Sequence, residues 1–205
     1  MTTIVSVKPQ YGVNYKDGFI GFIYNDSSFI SLGISWFTNW ERGQNPDVPN
    51  IPISHTLIVT GPNECVEANF PKIKRSLLTD YFNDPHNHIF FRKPVGLNDD
   101  ISKRIIDTAY SKIGKLYDWT LLIGHTISNS FIGIILDVLT KGKSKEFFTN
   151  LFNKKNRMIC SELAAYCLNE QPEYKGKGTL LKKLSSIDPQ QFFQDKVIFT
   201  PWKGQ

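Results

Sequence analysis

The sequence predicts an α+β fold in which an antiparallel β-sheet packs against helices. Three features carry the prediction: two strand-type segments joined by a tight turn across 54–68, apolar residues at helical spacing across 97–113, and a second apolar-faced helix opening at Cys160. At 205 residues, with 40% hydrophobic, 13% aromatic and 21% charged residues, the chain fits one globular domain spanning 1–205.

The strand signals come first. Phe19-Ile20-Gly21-Phe22-Ile23-Tyr24 is a branched and aromatic run closed by the turn formers Asn25-Asp26-Ser27-Ser28. Between Trp40 and Pro52 the density of Gly, Asn and Pro predicts a surface loop, and the wider stretch 38–53 is expected to narrow a site entrance. After it, Ser54-His55-Thr56-Leu57-Ile58-Val59-Thr60 reads as a buried strand, and Gly61-Pro62-Asn63 returns the chain through Glu64-Cys65-Val66-Glu67-Ala68. A hairpin of this kind lets His55 and Glu67 meet if the register puts them on one face. His88-Ile89-Phe90-Phe91-Arg92 is a further strand, ended by Pro94.

The helices follow. Leu97, Ile101, Ile105, Ala109 and Ile113 share one helical face, with Asn98 as cap, Asp99 and Asp100 at the positive end of the dipole, and Gly114 just past the end, giving a helix over 98–113. In the segment opening at Cys160, Cys160, Leu163, Ala164, Cys167 and Leu168 lie on one side. Asp188 caps a short helix that begins with Pro189, and Val197-Ile198-Phe199 reads as a final strand.

A net charge of +5 and a pI near 9.0 suit an anionic partner. The basic residues fall in short groups with no aromatic interleaving, so nucleic-acid binding is disfavoured. Three cysteines, an odd count without paired spacing, point to reduced thiols rather than a disulfide scaffold or zinc ribbon. The N-terminus lacks a Sec-type signal, which predicts a cytoplasmic protein or one released by another route. Residues 121–139 are apolar, but polar residues interrupt them, so no transmembrane helix is expected and a peripheral membrane contact stays open. No phosphate-binding glycine loop, Gly-x-Ser-x-Gly elbow or metalloprotease helix motif occurs, and no metal or cofactor is expected; His86 and His88 beside Asp84 are read as loop residues and His125 as helix-borne.

A nucleophilic cysteine reacts as its thiolate, and a helix start and a neighbouring imidazolium both favour that form. Cys160 opens a helix, His55 opens a strand, and Glu67 is placed to orient the imidazole. The unpaired N–H groups of the first helical turn can also receive an oxyanion. Cys65 and Cys167 read as small buried hydrophobes.

Ser54-His55 opening a strand, Val66-Glu67-Ala68 on the next, then Gly114-Lys115-Leu116-Tyr117-Asp118-Trp119 and finally Cys160-Ser161-Glu162-Leu163 resemble the YiiX/YaeF-type permuted papain-like amidases of the NlpC superfamily. The order of the groups carries the likeness, because ordinary papain-like enzymes place the cysteine before the histidine. It spans most of the chain, from about Asp17 to Trp202. The resemblance implies a circularly permuted papain-like (NlpC-type) fold, an antiparallel sheet or barrel against helices. The stretch 120–156 departs from a plain member of that family: it is longer than a compact core requires and is expected to be a helical insertion that caps or borders the site. The resemblance also implies Cys160 as nucleophile, His55 as general base and then acid, and Glu67 as the group fixing the tautomer, with Tyr117 and Ser161 in minor substrate or oxyanion roles.

The expected activity is cysteine-dependent hydrolysis of an amide, in a peptidoglycan stem peptide or a lipid-linked amide, through a thioester. Acyl transfer or phospholipase chemistry on the same fold is one alternative. A binding or structural module that keeps the site without turnover is another.

Overall fold

The computed structural model describes residues 9–27, 48, 51–69, 71–117, 157–158 and 160–202. Most of the predicted 38–53 loop, the 120–156 insertion, the 121–139 stretch and His125 lie outside the described residues.

The fold is mixed α+β. Five antiparallel strands form the body of the sheet: β1 (Ile20–Asn25), β2 (His55–Gly61), β3 (Glu64–Asn69), β4 (Lys72–Leu77) and β5 (Asn87–Arg92). Two-residue strands β6 (Leu116–Tyr117) and β7 (Arg157–Met158) extend it, giving the order β5-β1-β2-β3-β4-β6-β7. Among the described residues, only the β6–β7 strand pair is parallel. Among the described residues the helices are α1 (Leu78–Phe82), α2 (Asp99–Tyr110), α3 (Cys160–Asn169) and α4 (Pro189–Phe193), with 3-10 turns at Gly178–Leu181 and Leu184–Ser186. Among the described residues no helix is long and apolar enough to cross a membrane.

Strand alternation divides the core between the two faces of the sheet. Ile20, Phe22, Ile58, Val66, Ala68, Ile73 and Phe90 pack with α2, α3 and α4 residues such as Ile105, Leu163, Phe192 and Phe193. Ile23, Leu57, Val59, Cys65 and Phe91 form a smaller cluster on the opposite face with Tyr15 and Leu78. The hairpin follows its predicted course, and its ladder shifts register between Val59 and Gly61.

Two boundaries differ from the sequence reading. The α2 helix begins as expected, with Asn98 Oδ1 accepting the Ile101 N–H at 2.9 Å, but it ends at Tyr110. Ser111 to Gly114 form a turn held by three-residue hydrogen bonds, and Gly114, at φ +87°, donates its N–H to the Ile73 carbonyl at 2.9 Å. That link draws the chain into the sheet edge and leaves Ile113 41% exposed instead of on the helix face. Val197-Ile198-Phe199 is a turn, not a strand, because Asp195 Oδ1 takes the N–H groups of Val197 and Ile198 at 2.7 and 2.8 Å. A single bridge from Phe199 to Pro94 is what remains of the pairing.

A buried arginine fixes this C-terminal segment to β5. Arg92 donates to the carbonyl oxygens of Phe193, Asp195 (3.4 Å) and Thr200 (2.9 Å), with its guanidinium against the rings of Phe193, Phe199 and Trp202. Burial pushes its pKa down to about 10, with Asp195 opposing, so the group remains a cation at neutral pH. Arg92→Met keeps the stem but strands these carbonyls, so it is expected to lower unfolding free energy by about 3 kcal/mol in urea denaturation.

Candidate active site

The entry of β2 is held in place before the first functional side chain appears. Ser54 donates its N–H to the Ile23 carbonyl at 2.9 Å and its hydroxyl to the same oxygen at 3.3 Å. His55 is therefore the first residue of a strand whose start is fixed on β1. The β2–β3 register pairs Leu57 with Glu67, so His55, two residues before Leu57, shares its face and stands diagonal to Glu67. His55 Nε2 lies 2.6 Å from Glu67 Oε2. The predicted meeting of these two side chains is present.

Glu67 is buried on β3, and its carboxylate is saturated with donors. Ser76 on β4 donates to Oε1 at 2.5 Å, and the Tyr81 hydroxyl, on α1, donates to Oε2 alongside His55. Burial works against the charge. The hydrogen bond and charge of His55, followed by Ser76 and Tyr81, outweigh burial and hold the carboxyl at about 2, below its ordinary 4.5. Burial and the neighbouring carboxylate push the Tyr81 hydroxyl far up, so it stays a donor. Its ring lies nearly parallel to the imidazole, 6.4 Å away at 21°.

Cys160 is the first residue of α3, and its sulfur meets the start of β2. The thiol is hydrogen-bonded to the His55 ring and receives the backbone N–H groups of Thr56 and Ser161. With Nε2 engaged by Glu67, Nδ1 is the ring nitrogen left for the sulfur. Burial alone would raise the thiol pKa, but the His55 charge and hydrogen bond, with the two backbone donors, bring it below its ordinary 9.0. Burial alone would likewise lower the imidazole pKa. The Cys160 charge and hydrogen bond, then Glu67, lift it well above 6.5. Both shifts favour the thiolate–imidazolium form of the pair over the neutral one.

The other two cysteines behave oppositely. Burial pushes the thiols of Cys65 and Cys167 far up, leaving both neutral. All three are free.

Of the two minor candidates, Ser161 is buried, and its hydroxyl donates to the Ile187 carbonyl at 2.6 Å. Its hydroxyl ties the helix start to the segment before α4, while its backbone N–H faces the sulfur. Tyr117 is placed by its backbone, which pairs with Met158 on β7, two residues before Cys160; its side chain lies outside what is described. His86 and His88 both engage Asp26, at 2.8 and 3.4 Å; His88 lies in β5, as the strand reading of His88 to Arg92 expects, so the loop reading fails for it.

Ser76 and Tyr81 were not foreseen from sequence. Ser76 carries no signal of its own, because it comes diagonal to Glu67, on the same face, only once β4 pairs with β3. Tyr81 has none, because its approach depends on how a five-residue helix folds back onto the sheet.

Two pH effects follow from this geometry. His55 is expected to keep both ring protons at pH 8 in ¹H–¹⁵N NMR, and to titrate lower in Cys160→Ala, where the leading raising influence is gone. Glu67 contributes stability fully present above its unfolded value of 4.5 and lost as pH falls through about 2, so denaturation midpoints should decline across that acid window.

Comparison of the chain with protein-family models, with curated proteins and with solved structures returns no significant match.

Proposed function

We propose that this chain is a cysteine-dependent hydrolase with a circularly permuted papain-like arrangement, acting on an amide through a thioester at Cys160. The observation that supports this reading most is the continuous array from Glu67 through His55 to Cys160, with the thiol pKa lowered and the imidazole pKa raised. The permuted arrangement is supported by chain order: the histidine strand β2 and the carboxylate strand β3 precede the cysteine helix α3.

In this mechanism the Cys160 thiolate attacks the carbonyl carbon and forms the carbon–sulfur bond. The backbone N–H groups of the first turn of α3 receive the developing oxyanion. As the carbon–nitrogen bond breaks, His55 gives its Nδ1 proton to the leaving amine. Water then attacks the thioester and gives a proton to His55, and the thiolate leaves with its electron pair, restoring the resting ion pair. Glu67 accepts from Nε2–H throughout, which keeps Nδ1 facing the sulfur. Ser76 and Tyr81 hold Glu67 rather than the substrate.

The substrate classes that fit this reading are a cell-wall stem peptide and a lipid-linked amide. Intact-mass measurement after incubation with each tests it: a hydroxylamine-labile acyl adduct on Cys160, absent in Cys160→Ala, is the expected result. An adduct formed only from phospholipid would move the activity to acyl transfer or lipase chemistry. Absence of any adduct across amides and esters, with an unreactive Cys160, would favour a binding module.

A further inference from the structure

We propose that the surface where the start of β4, the turn after α2 and β6 meet, at the β7 side of the sheet, is a docking surface for an anionic phospholipid bilayer. The inference is independent of the chemistry proposed above, since docking needs no turnover.

Two segments distant in sequence are joined at this surface. The Ile73 N–H donates to the Lys115 carbonyl at 2.8 Å, Gly114 returns a bond to Ile73 at 2.9 Å, and Lys72 pairs with Leu116. Residues 71–78 and 108–117 contain Lys72, Lys74, Arg75, Lys112 and Lys115 and no acidic residue. Arg75 lies over the Tyr110 ring at 4.4 Å and Lys112 over the Tyr166 ring at 4.1 Å, so both are engaged in packing. Lys72, Lys74 and Lys115 remain, and among the described residues no carboxylate forms an ion pair with them.

The same surface exposes apolar side chains between those cations. Ile113 is 41% exposed and Leu116 42% exposed. A dissolved polyanion would use the lysines and gain nothing from these two residues. The interfacial zone of a bilayer rewards both, because anionic headgroups take the charges and the acyl boundary takes the apolar groups. This combination commits the surface to lipid rather than to nucleic acid or a soluble wall polymer.

The surface also adjoins the candidate site. Lys74 is paired directly with Glu67 across the β3–β4 ladder, and β6 runs beside β7, which leads into Cys160. A bilayer held here would bring its surface close to the thiolate.

Sedimentation of the full chain with phosphatidylcholine vesicles, with and without phosphatidylserine, tests the proposal. Binding is expected only when phosphatidylserine is present. A lysine near an anionic surface contributes about fivefold in affinity, so the combined Lys72→Gln, Lys74→Gln and Lys115→Gln variant should bind about a hundredfold more weakly. A variant with the same charge change, Lys175→Gln, Lys177→Gln and Lys183→Gln, should lose far less. Ile113→Ser with Leu116→Ser should weaken vesicle binding while leaving binding to polyphosphate unchanged. If the two lysine variants lose affinity equally, or the apolar variant binds vesicles like the parent, the proposal is overturned. Circular dichroism verifies folding, and the single substitutions replace any combination that fails to fold.

Discussion

Replacing Cys160 with alanine is expected to abolish acyl-enzyme formation and reduce hydrolysis by at least about 10⁴-fold, while the protein stays folded. The size follows from the role: without the sulfur no thioester can form, and a well-placed imidazole activating water is a poor substitute. The fold should survive because the loss is one small atom at a helix start, and α3 stays anchored by Leu163, Ala164, Cys167 and Leu168 in the core and by the Ser161 hydroxyl on Ile187. Kinetics on the accepted substrate, together with a thermal melt, reads both halves of the prediction. A variant with undiminished turnover would remove Cys160 from the chemistry.

The second large effect is expected at Glu67, and there stability and activity move together. Its carboxylate is where His55, Ser76 and Tyr81 converge, and all three donate to it. In Glu67→Gln the neutral amide keeps the shape, but its N–H₂ group faces donors and the charge that holds the imidazolium disappears. A buried hydrogen-bonded charge removed in this way costs about 3–5 kcal/mol, largely through the partners left unsatisfied. Activity should fall by about 10²–10³-fold, less than in Cys160→Ala, because the thiol and the imidazole both remain. The imidazole pKa should fall and the thiol pKa should rise, so the acid limb of the rate profile moves towards higher pH. Urea denaturation and a pH–rate profile measure the two consequences separately. Tyr81→Phe should shift the profile in the same direction by less, since it removes one of three donors.

The parts of this arrangement legible in the sequence are those set by local rules. A period-two strand, a short turn and a returning strand fix which side chains share a face, so the meeting of His55 with Glu67 follows once Leu57 pairs with Glu67. Helix starts were equally readable: Asn98 and Asp188 each accept the expected N–H group, and Pro189 occupies the first turn. The late helix with Cys160 at its head also stands where its apolar spacing puts it.

Most of what the sequence did not reveal depends on contacts between distant segments. β4 gave no strand signal, because Ile73 is the only buried residue among Lys72-Ile73-Lys74-Arg75-Ser76-Leu77. Its strand character comes from pairing with β3, and with it come Ser76 and then Tyr81. The apolar Val197-Ile198-Phe199 run became a turn because the Asp195 carboxylate competed for its N–H groups, a side-chain choice that strand propensity does not weigh. Ile113 left its helix because Gly114 found a sheet partner in Ile73. At β4 and at Ile113 a long-range hydrogen bond overrode the local preference, and at 197–199 a side chain two and three residues away did so.

The central claim is that one of three cysteines rests as a thiolate beside an imidazolium, and alkylation at mildly acidic pH with peptide mapping tests it directly. Iodoacetamide is small enough to reach Cys160, which retains 6% exposure, whereas Cys65 and Cys167 have none and their thiols are pushed up. The expected result is fast modification of Cys160 alone at a pH where ordinary thiols are inert, with the rate falling sharply in His55→Ala. Equal and slow modification of all three cysteines, unaffected by His55→Ala, would contradict the account.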